Sequence, residues 1–166
     1  MRIYNSVLQP RHRTQSESLI GLYQPWLQLS KKGQYNLAIE DYGYAIKIDP
    51  KVLPPYSNRG FIYQENGQYD LAIEDFDRGI ALDAKNANAY NGRCWARVKS
   101  GDPQNALPDC NRSLELERKD ALTFDARAFV YEKLNKLDAA EKDYRKALAL
   151  APGMKSSFIQ VNQSVS

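Results

Sequence analysis

The feature that most constrains this chain is a period. The stretches "YSNRGFIY" (56–63), "YNGRCWAR" (90–97) and "FDARAFVY" (124–131) begin 34 residues apart, and each carries an arginine inside an otherwise apolar pattern. The segments "KKGQY" (31–35), "ENGQY" (65–69), "KSGDP" (99–103) and "KLNKL" (133–137) keep the same register. Each reads as a loop between two helices. Before the loop, Tyr56, Gly60 and Tyr63, or Phe124, Ala128 and Tyr131, fall at i, i+4 and i+7, one stripe of an α-helix. After it the spacing returns at Ala72, Phe76 and Gly79, and at Ala140, Tyr144 and Ala147. A repeat of this length is one supersecondary unit that cannot bury its apolar face alone, so the units must stack.

Composition narrows what such a stack can do. A chain of 166 residues with formal charge +3 and a pI near 8.8 has its acidic and basic residues interleaved, which gives no electrostatic footprint for nucleic acid. No apolar run is long enough to span a bilayer, so no membrane partner is expected. The opening "MRIYNSVLQPRHRTQSES" lacks the apolar core of a secretory signal, so a cytoplasmic location is the expectation.

The residues at fixed places in each unit resemble the tetratricopeptide repeat, with its opening aromatic, leucine-glycine, tyrosine, A-x3-F and closing proline. Tyr56, Tyr90 and Phe124 hold the aromatic place, and Gly60, Cys94 and Ala128 the small one. Ala38, Ala72, Ala106 and Ala140 supply the alanine, Tyr42, Phe76, Cys110 and Tyr144 follow, then Ala45, Gly79, Ser113 and Ala147. Proline closes the outer units at Pro50 and Pro152, where the middle two have Ala84 and Arg118. The resemblance implies an all-α fold, an α-solenoid with a right-handed superhelix of helix-turn-helix repeats. It divides the chain into a polar tail (1–18), four units (a degenerate 19–52, then 53–86, 87–120 and 121–152) and a partial capping helix with a tail (153–166). Pro25 and Trp26 interrupt the first helix of the first unit, while Phe158 starts the cap. Pro108 should bend the second helix of the third unit, and Asp102 before Pro103 should start it.

Arg59, Arg93 and Arg127 stand where the family pattern has leucine, and Asp41, Asp75, Asp109 and Asp143 recur at the same period on the second helices. A charge withdrawn from water needs a partner. We expect each arginine to pack its stem between helices and pair with the aspartate of its own or the preceding second helix. The rival is an anion site, but a feature repeated in every unit suits structure better than one ligand.

In this family the concave groove, lined by the first helices, holds extended or helical peptides. The resemblance assigns to it Ser57, Phe61 and Gln64, then Asn88, Asn91, Trp95 and Lys99, then Leu122, Asp125, Phe129 and Lys133. Phe61, Trp95 and Phe129 form an aromatic ladder, either anchors for a partner or packing between units. Asn88, Asn91 and Ser57 would offer hydrogen bonds to the partner's backbone. Family members that clamp a chaperone carboxylate use lysine, asparagine and arginine at places held here by Tyr23, Leu27, Asn58, Asn88 and Gly92, or one unit on by Ser57, Phe61, Gly92, Leu122 and Ala126. Only Asn58 matches, so no clamp is expected.

No enzyme is expected, and neither a cofactor nor a metal. The sole histidine, His12, lies in the tail, which leaves no material for a histidine triad or a His-rich metal site. Cys94 and Cys110 occupy places of small core residues, so buried reduced thiols are expected, the alternative being a redox pair across the hairpin. The sequence thus points to an adaptor or scaffold for a protein or peptide partner. The alternative is a structural solenoid that self-associates through its imperfect ends, or a subunit of a larger complex.

Overall fold

The computed structural model describes residues 32–154, of whose side chains those of 35–154 are placed. The expected kink at Pro25 and Trp26, the tail with His12 and the cap at Phe158 lie outside the described residues. Within them run seven helices: α1 (Lys32–Ile48), α2 (Leu53–Glu65), α3 (Tyr69–Leu82), α4 (Ala87–Lys99), α5 (Pro103–Leu116), α6 (Ala121–Lys133) and α7 (Leu137–Leu150). They form an all-α repeat solenoid. The pairs α2 with α3, α4 with α5 and α6 with α7 are the units, and α1 is the second helix of the unit before them.

The turn inside each complete unit follows from one residue. Gly67 and Gly101 have φ of 74° and 94°, and Asn135 takes the same place with φ 57°. The left-handed region costs glycine nothing and asparagine little, so the chain reverses there within a few residues. The first unit departs from expectation. Lys32–Tyr35 of "KKGQY" is already the first turn of α1 rather than a loop. Glycine accepts helical as well as left-handed backbone, so aligning Gly33 with Gly67 does not by itself make a turn. At the next boundary the expected cap is present: Asp102 accepts from the Asn105 amide before Pro103 at the head of α5. Asp120, not among the caps expected from the sequence, accepts from the Leu122 and Thr123 amides at the head of α6. Pro108 sits inside α5 on an exposed position, and the helix continues through it to Leu116.

Packing centres on the small and aromatic places of the repeat. Phe76 is fully buried, and its ring is seated where Gly60 and Gly92 present no side chain. A Cβ on Gly92 would lie 2.4 Å from that ring. Burying such a side chain stabilises the fold by about 1.5–3 kcal/mol. Tyr144 fills the same place against Ala128 and Ala140. In the third unit this small-against-aromatic contact is replaced by a covalent one. Cys94 and Cys110 form a disulfide between α4 and α5, which corrects the expectation of reduced thiols. The same 16-residue spacing that brings Gly60 to Phe76 brings the two sulfurs together, in the core cluster of Val98, Ala106, Phe129 and Val130.

Candidate functional site

Successive first helices lie against one another, α2 on α4 and α4 on α6, while no comparable contact joins successive second helices. A stack with this asymmetry curves with its first helices inside. The inner face is therefore built from α2, α4 and α6, and the arginines behind it bind each of these helices to the second helix of its unit.

Each arginine of the ladder grips the aspartate of its own unit across the helix pair. Arg59 donates through Nε and Nη2 to Asp75 at 2.8 and 2.7 Å. Arg93 holds Asp109 at 2.9 and 2.5 Å, and Arg127 holds Asp143 at 2.6 and 3.1 Å. The carboxylates are buried and the guanidinium groups largely so. The remaining nitrogen reaches the preceding second helix. Arg93 Nη1 meets Asp77 at 2.6 Å and Arg127 Nη1 meets Asn111 Oδ1 at 2.9 Å, whereas Gly43 holds that place beside Arg59. Each guanidinium also lies over a ring of its own helix, 5.6 Å from Tyr63, Tyr90 or Phe124. Arg97 adds a second cation on Asp109 at 2.7 Å. Asp41 is exposed, and Pro25 holds the sequence place its arginine would have.

The electrostatics fit a withdrawn ion pair. Hydrogen bonding to Asp75 lifts the Arg59 guanidinium above its ordinary value. Burial disfavours the Arg93 cation, but its bonds to Asp109 and Asp77 outweigh that and raise it further. Burial pushes the Asp75 carboxyl up, and Arg59 holds it down in part. The bidentate geometry is that of an ionised pair.

On the inner face the assigned residues divide. Ser57 is buried, and its Oγ and the Gln64 Oε1 are buried without a partner. Asn91 does not offer its amide to the groove: its Nδ2 donates to Asp120 at 3.3 Å and to Thr123, tying α4 to α6. Asp125 is buried as well. Phe61 packs edge-on against Phe76 with ring centroids 5.0 Å apart, and Phe129 is buried with its centroid 5.4 Å from that of Trp95. Asn88, Lys99, Leu122 and Lys133 are exposed, Leu122 by 62%, and Trp95 is half-buried beside them. Two ammonium groups close over the rings. Lys99 Nζ lies 4.8 Å from the Trp95 centroid and 4.4 Å from that of Phe129, and Lys133 Nζ lies 5.0 Å from Phe129. Sequence reasoning placed both lysines on the groove but missed their convergence, which the shared 34-residue offset could have signalled.

Elsewhere a hollow of about 430 Å³ is lined by Asn111, Leu114, Glu115, Arg118 and Arg127, where Arg127 is already committed. Among the described residues no three His, Cys, Asp or Glu side chains gather as metal ligands, and no helix is long and apolar enough to cross a membrane.

Comparison with known proteins accords with this architecture. Tetratricopeptide repeat profiles match residues 55–86 and 121–154, and a TPR repeat profile matches residues 28–67. No curated protein matches the sequence. Among solved structures, the second TPR domain of human RPAP3 in complex with an HSP70 peptide is 30% identical, with TM-score 0.58, over 67% of this chain and 92% of that one. The first TPR of Spaghetti (RPAP3), bound to an HSP90 peptide, is 27% identical, with TM-score 0.59, over 65% and 86%. The structure of MamA is 27% identical, with TM-score 0.68, over 74% and 72%. On its repeats, its helix pairs and these likenesses, the chain belongs to the tetratricopeptide repeat family.

Proposed function

We propose that this chain is a recognition scaffold whose inner face holds a peptide segment of a protein partner, and that it does no chemistry of its own. The observation that carries the reading is the exposed apolar and aromatic surface at the front of first helices whose other side chains are largely withdrawn into the stack. Leu122 stands 62% exposed, with Asn88 and Trp95 on the adjacent helix. Exposed apolar and aromatic groups on a rigid concave frame are where a partner's side chains gain most from burial. The peptide complexes of the RPAP3 domains support the same use of the fold.

The ligand we favour is not a chaperone carboxylate of that kind. Of the clamp residues only Asn58 is present, and it is hydrogen-bonded to the Tyr42 hydroxyl. As to compartment, the disulfide supports an oxidising environment over the cytoplasm expected from the sequence, since cytosolic pools keep thiols reduced.

Affinity capture from the native lysate tests the reading, with wild type set against Leu122→Glu of unchanged circular dichroism. A partner retained by wild type and lost by the variant supports it, and identical captured sets refute it. Self-association is the second reading. It is favoured by the outer stripe of α1, where Leu37, Tyr44 and Ile48 are 63%, 66% and 59% exposed. Light scattering across concentrations separates the two, because only self-association makes the mass rise with concentration.

A further inference from the structure

Lys99 and Lys133 are the last residues of α4 and α6, and a cation at a helix C-terminus needs no further explanation when it stands alone. These two do not. Both ammonium groups are drawn onto the Phe129 ring, and Lys99 also covers Trp95. Burial and the neighbouring Lys133 charge hold the Lys99 ammonium below its ordinary value, while Asp125 and Glu132 oppose them in part. Neither lysine ion-pairs with a carboxylate among the described residues. Glu132 accepts a hydrogen bond from the Tyr144 hydroxyl at 3.1 Å. The result is two like charges gathered at one aromatic ring, a pairing that an incoming anion would relieve.

We propose that Lys99 and Lys133 form an anion shelf on the inner face that takes side-chain carboxylates of an acidic partner peptide, with an adjacent apolar residue of that peptide lying on Trp95. The inference rests on the peptide-groove reading and names its specificity. The shelf occupies the C-terminal ends of the first helices, whereas Asn88 and Leu122, which hold two of the clamp places, lie at the opposite ends. A phosphate has the same attraction to the two cations, but the apolar floor beside them favours a segment that alternates carboxylates with aliphatic side chains.

The test uses two synthetic peptides, acetyl-Leu-Glu-Glu-Leu-amide and its twin with glutamine for glutamate, titrated at low salt into the whole chain by NMR. The acidic peptide is expected to bind at least about tenfold tighter than its twin. It should shift the Trp95 indole N–H and move the Lys99 titration up toward the ordinary lysine value. Lys99→Gln and Lys133→Gln should each abolish the preference, while Lys99→Arg, which keeps the charge, should retain it. Equal binding of the two peptides overturns the shelf and leaves the groove standing. A preference that survives both glutamine variants overturns it too, as does a failure of the acidic peptide to shift Trp95. The groove reading fails separately, if Leu122→Glu keeps every captured partner. Phosphoserine amide as a third probe decides the source of the anion: tighter binding than the acidic peptide would overturn the carboxylate assignment.

Discussion

At the scale of single residues, the arginine that breaks the apolar stripe is the residue that organises each unit. Its geometry is legible in the sequence because Arg and Asp recur together, but the sequence leaves open which second helix answers. The structure gives the bidentate pair to the arginine's own unit and the third nitrogen to the preceding one. Removing one partner of a buried pair leaves an uncompensated charge. Arg59→Leu should therefore cost about 3 kcal/mol in urea unfolding, and adding Asp75→Leu should recover much of that loss. A double variant no better than the single one would show that the arginine stem, not the charge pair, matters there. Gly92 is a second such residue. Its sequence place carries no family signal, since Asn58 and Ala126 hold it in the neighbouring units, and only the seat of the Phe76 ring explains it. Gly92→Ala should destabilise by about 1–3 kcal/mol, measured the same way; a neutral effect would mean that the ring moves aside freely.

At the scale of helices, the second members of each pair were readable because the alanine and the residue four positions on define one buried stripe. The turns were readable where Gly67 and Gly101 adopt left-handed backbone. The start of α1 was not, because glycine at position 33 is compatible with both conformations. The disulfide was hidden for a different reason: spacing shows that two side chains meet, but oxidation depends on surroundings that no residue pattern records. Its 16-residue separation matches that of the Arg–Asp pairs, which was the available signal for contact. Closing a loop of that size stabilises by about 3 kcal/mol in the chain-entropy account. Reduction, or Cys94→Ser with Cys110→Ser, should lower stability by that order and speed hydrogen exchange in α4 and α5 first. Uniform acceleration along the chain would instead mark the units as one cooperative block.

The inner face has its own element-level titration. Lys99 is held down by burial and, after that, by Lys133, so Lys133→Gln should raise the Lys99 pKa part of the way to the ordinary value. The sign for stability follows. A lysine whose folded pKa is depressed is destabilising while charged, and it regains that stability as pH rises from the folded value to the unfolded one. The alkaline gain in stability should thus be smaller in Lys133→Gln than in wild type, as followed by urea midpoints across the alkaline range. An unchanged Lys99 titration would mean that the two ammonium groups do not interact.

For the molecule as a whole, the period announced a stack and the family pattern gave its class, while the use of the inner surface was only partly legible. Asn91, Ser57, Asp125 and Phe129 were assigned to the groove by register, and the structure puts them to work or out of reach inside the stack. Register locates a residue on a helix, but the neighbouring unit decides whether its side chain faces solvent. What stays available is Asn88, Trp95, Lys99, Leu122 and Lys133, a surface suited to a short peptide. The measurement that tests this claim most directly is selection of displayed peptides on the wild-type chain, followed by mapping of one selected peptide on its amide NMR spectrum. The account predicts shifts concentrated on α4 and α6 around those residues and lost in Leu122→Glu. Shifts centred on the second helices, or on Leu37, Tyr44 and Ile48 of α1, would contradict it.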